Sequence, residues 1–147
     1  RRDMSFASLC SGLALANAKL GAVHGFAGPL GGMYPIPHGV ACAALLPPVM
    51  EMNIRALRER APDSESLRRY DEVARILTGH AGATAADGAV WARDLGQTLG
   101  IPPLSNYGVR REHLPEIVDK SARASSMKGN PITLTADELT EILEKAL

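Results

Sequence analysis

Residues 21–39 read Gly-Ala-Val-His-Gly-Phe-Ala-Gly-Pro-Leu-Gly-Gly-Met-Tyr-Pro-Ile-Pro-His-Gly. Two histidines, His24 and His38, lie fourteen positions apart on either side of a break rich in glycine and proline. Imidazole is a common neutral ligand for divalent metals, and two rings on separate, stiffly connected segments can converge on one ion. We therefore take His24 and His38 as candidate metal ligands.

The spacing of the two histidines does not by itself show that they bind a metal. It is neither the i, i+4 interval of one helical face nor an interval found in zinc fingers. Pro35 and Pro37 end any helix that precedes them, which places His38 in the first turn of a new helix. The alternative is that both histidines are polar residues at helix ends that bind nothing.

The rest of the chain predicts a series of helices. Apolar residues recur at steps of three and four, Thr135 and Glu138 form a capping-box pattern, and no segment alternates with the period of a strand. The predicted helices cover residues 3–20, 22–32, 38–57, 64–77, 85–99, 112–125 and 135–146. The fold class is therefore all-α with about seven helices, and we expect residues 1–147 to form a single helical domain.

Composition narrows the class of protein. Lys plus Arg equals Asp plus Glu at 16 each, which gives no charge bias toward nucleic acid or an anionic membrane. No uninterrupted apolar run reaches the roughly 18 residues that span a bilayer, and no signal peptide is evident, so we expect a cytoplasmic protein. Cys10 and Cys42 fall in apolar helical patterns and are predicted to be buried, reduced thiols, and Trp91 is predicted to anchor the core.

The segment around the two histidines resembles the signature of the iron-containing (group III) alcohol dehydrogenase family. That pattern runs roughly Gly-x-x-His-Gly-x-x-His-x-Leu-Gly, then a short aromatic stretch, then Pro-His-Gly-x-x-x-Ala-x-Leu-Leu-Pro. The resemblance covers nearly the whole chain. It is strongest over residues 17–53 and is carried by Asn17, Gly21, Leu30-Gly31, Tyr34, Pro37-His38-Gly39, Ala43, Leu45, Leu46, Pro47 and the segment Lys128-Gly129-Asn130-Pro131.

The resemblance implies a C-terminal, helical, metal-binding domain of an oxidoreductase. His24 and His38 would be two ligands of a divalent ion, usually Fe²⁺ and sometimes Zn²⁺, held near NAD or NADP. The other two ligands, an Asp and a His, lie upstream in the family and have no counterpart here. The implied substrates are a small alcohol and its aldehyde or ketone, and dimerisation of the intact protein is a further expectation.

Several positions extend or depart from the family pattern. Where the family carries a third histidine close to the nicotinamide, this chain has Gly28. Phe26 and Tyr34 lie between the ligand histidines and are candidates to line a substrate or cofactor pocket, as are Gly28 and Ser126.

The sequence contains no Gly-x-Gly-x-x-Gly fingerprint after a predicted strand. A chain of 147 residues also suffices for one compact domain but not for a nucleotide-binding domain as well. We expect the C-terminal fragment of a two-domain dehydrogenase, with NAD or NADP bound mainly by the absent N-terminal domain and with no activity of the fragment alone. Two alternatives stay open: a non-catalytic helical binding or assembly module, and a metal-independent reductase of the same family.

Overall fold

A computed structural model describes residues 1–147 as seven α-helices without a β-strand. The prediction of an all-α fold is thereby confirmed. Single 3₁₀ turns cover Leu104–Tyr107, Arg111–His113 and Ser125–Gly129. The helices are α1 (Arg2–Asn17), α2 (Ala22–Met33), α3 (His38–Arg60), α4 (Glu65–Thr78), α5 (Ala85–Thr98), α6 (Leu114–Ala122) and α7 (Ala136–Ala146).

Local caps set the start of two helices where the sequence predicts them. The Ser64 hydroxyl accepts a hydrogen bond from the Ser66 amide at 3.2 Å at the start of α4. At the start of α7, the Glu138 amide donates to the Thr135 hydroxyl at 3.2 Å and the Thr135 amide donates to the Glu138 carboxylate at 2.7 Å. Such side-chain acceptors satisfy amides that have no partner within the helix. The α6 prediction is too long, because a 3₁₀ turn precedes the helix and another follows it.

Helix α3 is the central element of the fold. On one side it packs with α2, α6 and α7 around the main core, whose largest fully buried side chains include Phe26, Leu30, Leu45, Met52, Ile117, Ile142 and Leu143. On its other side, Met50 and Ile54 pack against Ala85, Ala89 and Ala92 of α5 in a smaller cluster.

Trp91 does not belong to either cluster. It lies on the outer face of α5 with 36% of its surface exposed, so the prediction that it anchors the core is wrong. The small residues Ala85, Gly88, Ala89 and Ala92 form the buried side of α5 instead. Their short side chains allow α5 to approach its neighbours closely, with the tryptophan turned away.

Helix α3 has the length and apolar character that membrane-spanning helices also show. It has 23 residues, and its most apolar 18-residue window has a mean hydropathy of 1.3. Within this fold, 56% of that window is buried against other helices. Burial in a helical core is sufficient to explain its composition.

Helix α1 differs from the others because none of its residues is buried. It departs from α2 at an angle of 94°. Its large apolar side chains are all more than half exposed, and helical geometry places them on two opposite sides: Phe6, Leu9 and Leu13 on one side, Met4 and Leu15 on the other. Cys10 is also exposed, which corrects the prediction that it is buried. A helix that is apolar on both sides is typical of one enclosed by other protein.

The contrast between α1 and the core predicts how substitutions affect stability. Leu143→Ala removes a fully buried side chain of α7, and we expect it to lower the free energy of unfolding by about 2–5 kcal/mol. Leu13→Ala makes the same chemical change on α1, where the side chain is 57% exposed, and should change it by less than about 0.5 kcal/mol. Urea denaturation followed by circular dichroism measures both, and equal losses would contradict the described packing.

Candidate metal centre

His24 is positioned by the start of α2. It is the third residue of that helix, which begins after the extended Gly21. Gly25, next to His24, packs directly against Met127, and an added Cβ there would lie 2.7 Å from the methionine methyl group. The glycine therefore permits α2 to lie close to the 3₁₀ turn that contains Met127.

His38 is positioned by the start of α3. It is the first residue of the helix and follows Pro37, whose fixed φ of −58° suits a helix start. The sequence prediction that His38 opens a new helix is confirmed. Cys42 lies one turn further along α3, on the same face as His38, because residues four apart are neighbours on a helix surface.

The fold brings the two histidines together at a third side chain. The imidazole centroids of His24 and His38 are 5.3 Å apart, with a tilt of 51°. The Sγ atom of Cys42 lies 3.5 Å from Nε2 of His38 and 3.9 Å from Nε2 of His24. One donor atom from each of the three residues lies within 4.8 Å of the others.

The position of Cys42 corrects the sequence interpretation of this residue. Cys42 is half-buried at the cluster of histidines, where it was expected to be a small hydrophobic residue of the core. Burial raises the pKa of its thiol, so the group is protonated at neutral pH in the absence of a bound cation. The signal that could have identified it is the His-x-x-x-Cys interval from His38 to Cys42, which is a ligand spacing on one helix face.

A pair of asparagines holds the start of α2 in place. The Asn130 Oδ1 atom accepts hydrogen bonds from the Ala22 amide at 3.1 Å and from the Asn53 side chain at 3.2 Å. The Asn130 amide group donates to Asn53 Oδ1 at 2.7 Å and to the Ile132 carbonyl at 2.8 Å. The Asn53 amide group also donates to the Tyr70 hydroxyl at 3.1 Å, and burial raises the pKa of that phenol.

This asparagine pair joins three parts of the chain that are distant in sequence. Asn53 lies on α3 and is only 2% exposed, whereas Asn130 follows the 3₁₀ turn before α7. The first amide of α2 has no partner within its own helix, so Asn130 acts as its cap from a remote segment. The family pattern includes Asn130, but nothing in the sequence pairs it with Asn53.

A cleft of about 630 Å³ opens beside the histidine cluster. Its wall includes His24 and Cys42, the apolar side chains Leu46, Val49 and Met50, and the segment Gly129–Pro131. The cleft is therefore mostly apolar, with the candidate ligands at one edge. Such a combination is typical of a site for a small organic ligand.

The four predicted pocket residues lie outside this cleft. Phe26 is fully buried in the main core, which corrects the expectation that it lines a pocket. Tyr34 packs against the core with its ring centroid 5.8 Å from that of His113. Gly28 is exposed one turn after His24, and no atom lies within 4 Å of a Cβ added to it. The roles of Gly28, Tyr34 and Ser126 in a longer protein stay predictions.

The cluster suits a divalent transition metal. A tetrahedral zinc ion, with bonds of about 2.3 Å to sulfur and 2.0 Å to nitrogen, holds those two ligand atoms about 3.5 Å apart. The sulfur–nitrogen distances in the cluster are 3.5 and 3.9 Å, so a small rotation of side chains would bring all three donors onto one ion. Imidazole and thiolate are ligands for zinc, iron and cobalt rather than for magnesium or calcium.

The fold and the cluster together define an all-α domain that presents candidate transition-metal ligands at the edge of an apolar cleft. Comparison with known proteins agrees with this class. The model of the "Fe-containing alcohol dehydrogenase family, C-terminal" matches residues 1–147. The chain belongs to the iron-containing alcohol dehydrogenase family and corresponds to its C-terminal domain.

Individual relatives show the same relationship. The chain is 35% identical to the 1,3-propanediol dehydrogenase of Klebsiella pneumoniae over 148 residues, which covers 99% of this chain and 37% of that protein. It is 34% identical to the lactaldehyde reductase of Escherichia coli over 152 residues, covering 98% and 37%. The structure of an alcohol dehydrogenase from Oenococcus oeni matches with a TM-score of 0.77 and 32% identity, covering 92% of this chain and 35% of that one. The chain thus spans little more than a third of these relatives' length.

The asparagine pair predicts a specific loss of stability. Asn130→Ala leaves the Ala22 amide without a partner and leaves the buried Asn53 side chain with only its hydrogen bond to Tyr70, and we expect it to lower the free energy of unfolding by at least about 2 kcal/mol. Asn106→Ala is the matched control, because Asn106 is exposed in a 3₁₀ turn, and should cost less than about 0.5 kcal/mol. Urea denaturation measures both variants, and a neutral Asn130→Ala would show that the pair does not hold α2.

Proposed function

We propose that this chain is the metal-binding helical domain of an NAD(P)-dependent alcohol dehydrogenase that interconverts an alcohol and an aldehyde or ketone. The observation that supports this proposal is the convergence of His24 and His38, from two different helices, beside an apolar cleft. In the longer protein the two histidines supply half of a four-residue ligand set, and an Asp and a His from the preceding domain supply the rest. Family membership supports Fe²⁺ as the ion, and Zn²⁺ is compatible with the same donors.

The chain contributes binding and orientation to this reaction. A divalent ion held by His24 and His38 supplies Lewis acidity, which lowers the pKa of an alcohol or polarises a carbonyl group. The side chains of Leu46, Val49 and Met50 form an apolar wall beside His24 and keep water from that side of the cleft. A wall of this kind favours short substrates with an apolar carbon chain and a single polar end.

The two asparagine side chains of the cleft are already hydrogen-bonded within the fold. The amide of Asn53 is hydrogen-bonded to Asn130 and Tyr70, so it has no free donor for a substrate. At Gly28, one turn after His24, this chain has no imidazole to carry a proton toward solvent. We infer that the proton leaves the alcohol through water or through a group of the preceding domain.

The nicotinamide cofactor is assigned to the part of the protein that precedes this chain. Helix α1, which is apolar on both sides and fully exposed, is proposed as the surface that this part covers. Its exposed apolar side chains supply the kind of contact that holds two domains of one protein together. A cytoplasmic location stays a prediction.

The ligand assignment predicts the behaviour of histidine variants in a longer protein that contains this chain. His24→Ala and His38→Ala should each abolish stoichiometric metal and lower the turnover of short aldehydes with NADH or NADPH. Loss of a residue that only orients a metal ligand already lowers metal affinity or activity by about 10–100-fold, so loss of a ligand itself should lower them further. Elemental analysis and cofactor absorbance measure the two effects.

His80→Ala is the control for those variants, since His80 is exposed between α4 and α5 and should leave both quantities unchanged. Wild-type turnover in the His24→Ala and His38→Ala variants would instead support a metal-independent reductase of the same family. The 147-residue chain alone is expected to show no turnover with either cofactor.

The exposed face of α1 favours a second candidate function, a non-catalytic assembly module. In isolation, the chain should self-associate through Phe6, Leu9 and Leu13, and light scattering should detect species larger than 15.6 kDa. Replacing these three residues by Glu should shift the chain toward the monomer. Ile76→Glu on α4, where the side chain is 80% exposed, is the control and should leave association unchanged.

In a longer protein, the same three α1 substitutions separate the two functions. If α1 packs against the preceding domain, they should lower the thermal stability of that protein. If they leave its stability unchanged and only reduce its oligomeric state, α1 is an assembly surface.

A further inference from the structure

Cys42 is the side chain of the cluster that the family's ligand set does not include. Its Sγ atom lies within 4 Å of the Nε2 atoms of both His24 and His38. Two independent helices therefore direct ring nitrogens at one sulfur. An explanation of this geometry must account for the thiol and both imidazoles together.

A hydrogen bond satisfies only part of this arrangement. A thiol has one proton and can donate it to one imidazole, so the second imidazole is left to face the sulfur as a weak acceptor. A divalent cation shared by the three donors would satisfy every one of them, with the thiol proton released to solvent as the sulfur binds. The sulfur–nitrogen distances of 3.5 and 3.9 Å are close to the value of about 3.5 Å that tetrahedral zinc imposes.

The surroundings leave room for further ligands. Cys42 and His24 both line the cleft, and His38 is exposed. In this chain alone, three protein ligands would leave one position of a tetrahedral ion open to a small molecule or to a ligand from the preceding domain, whereas structural zinc sites are closed by four protein ligands. Thiolate is also a softer ligand than carboxylate and favours zinc over harder ions.

We propose that Cys42 is a third metal ligand of this chain, which forms a His₂Cys site with His24 and His38 and thereby favours Zn²⁺ over Fe²⁺. The proposal rests on the proposed metal site in that both use the same two histidines. It goes beyond that site by adding a sulfur ligand and by naming the preferred ion.

The test uses the 147-residue chain in a Cys10→Ser background, so that Cys42 is the only thiol. The chain is titrated with Co²⁺ as a spectroscopic substitute, and sulfur-to-cobalt charge transfer is followed in the near ultraviolet. Competition with a chromophoric chelator gives the affinities for Zn²⁺ and Fe²⁺. Alkylation of Cys42 by iodoacetamide is compared with and without Zn²⁺, which requires no substitution at the site.

We expect a charge-transfer band that disappears in Cys42→Ser and Cys42→Ala, and slower alkylation of Cys42 when Zn²⁺ is present. Zinc affinity should fall by at least about 10-fold in both variants, because even outer-sphere substitutions cost about 10–100-fold. Iron affinity should fall by less. Circular dichroism and urea denaturation establish that the variants remain folded.

Two outcomes overturn the proposal. Metal binding that is unchanged in the Cys42 variants, without a charge-transfer band, removes Cys42 from the ligand set but leaves the histidine pair intact. Absence of binding by any form of the chain shows that the three side chains do not constitute a site by themselves. Neither outcome bears on turnover by a longer protein, so failure here is distinguishable from failure of the proposed function.

Discussion

The reciprocal hydrogen bonds between Asn53 and Asn130 are the interaction on which the rest of the site depends. Asn53 is buried on α3, and Asn130 belongs to the segment before α7. Because Asn130 also accepts the Ala22 amide, a single side chain fixes α2 relative to both α3 and the C-terminal segment. His24 follows two residues after that amide. The position of His24 relative to His38 therefore depends on a part-buried polar contact as well as on the glycine-rich segment that connects them.

Asn130 reaches the start of α2 because the two backbone segments lie very close together. A Cβ added at Gly129 would collide with the carbonyl oxygen of Leu20, so the segment carrying Asn130 can reach the start of α2 only with glycine at that position. Gly25 serves the same purpose on the next turn, where α2 meets Met127. Gly129 allows the C-terminal segment to contact the backbone just before α2, and Gly25 leaves room on α2 for the Met127 side chain. They explain why a helix with so few side chains is nevertheless held firmly enough to position a ligand.

The sequence predicts the helices well and the site only in part, for physical reasons. Caps such as Ser64 and Thr135 act within one turn of the helix, so local residue patterns are enough to identify them. The histidine pair was predicted because the family pattern is specific, since a separation of fourteen residues does not by itself imply contact. The Asn53–Asn130 pair spans 77 positions, and its two members can be matched only through tertiary structure.

The apolar character of a residue also gave wrong predictions of burial. Cys10 and Trp91 fit the hydrophobic periodicity of their helices, yet both face outward, because α1 lacks a partner in this chain and α5 packs through its smallest residues. Cys42 fits the same periodicity but lies at the histidine cluster. Hydrophobic periodicity identifies the side of a helix on which a residue lies, but it does not identify what packs against that side.

Pro47 and Pro48 within α3 have a mechanical consequence for the ligands. Neither residue has a backbone N–H, so the carbonyl groups of Ala43 and Ala44 lack their usual partners one turn later. Helix α3 therefore lacks two backbone hydrogen bonds between the turn that carries His38 and Cys42 and the longer C-terminal part of the helix. A helix interrupted in this way has a preferred bending point at the prolines. Bending at this point would change the distance from His38 and Cys42 to His24, and the burial of Ala41 and Leu45 in the main core limits how far it can go.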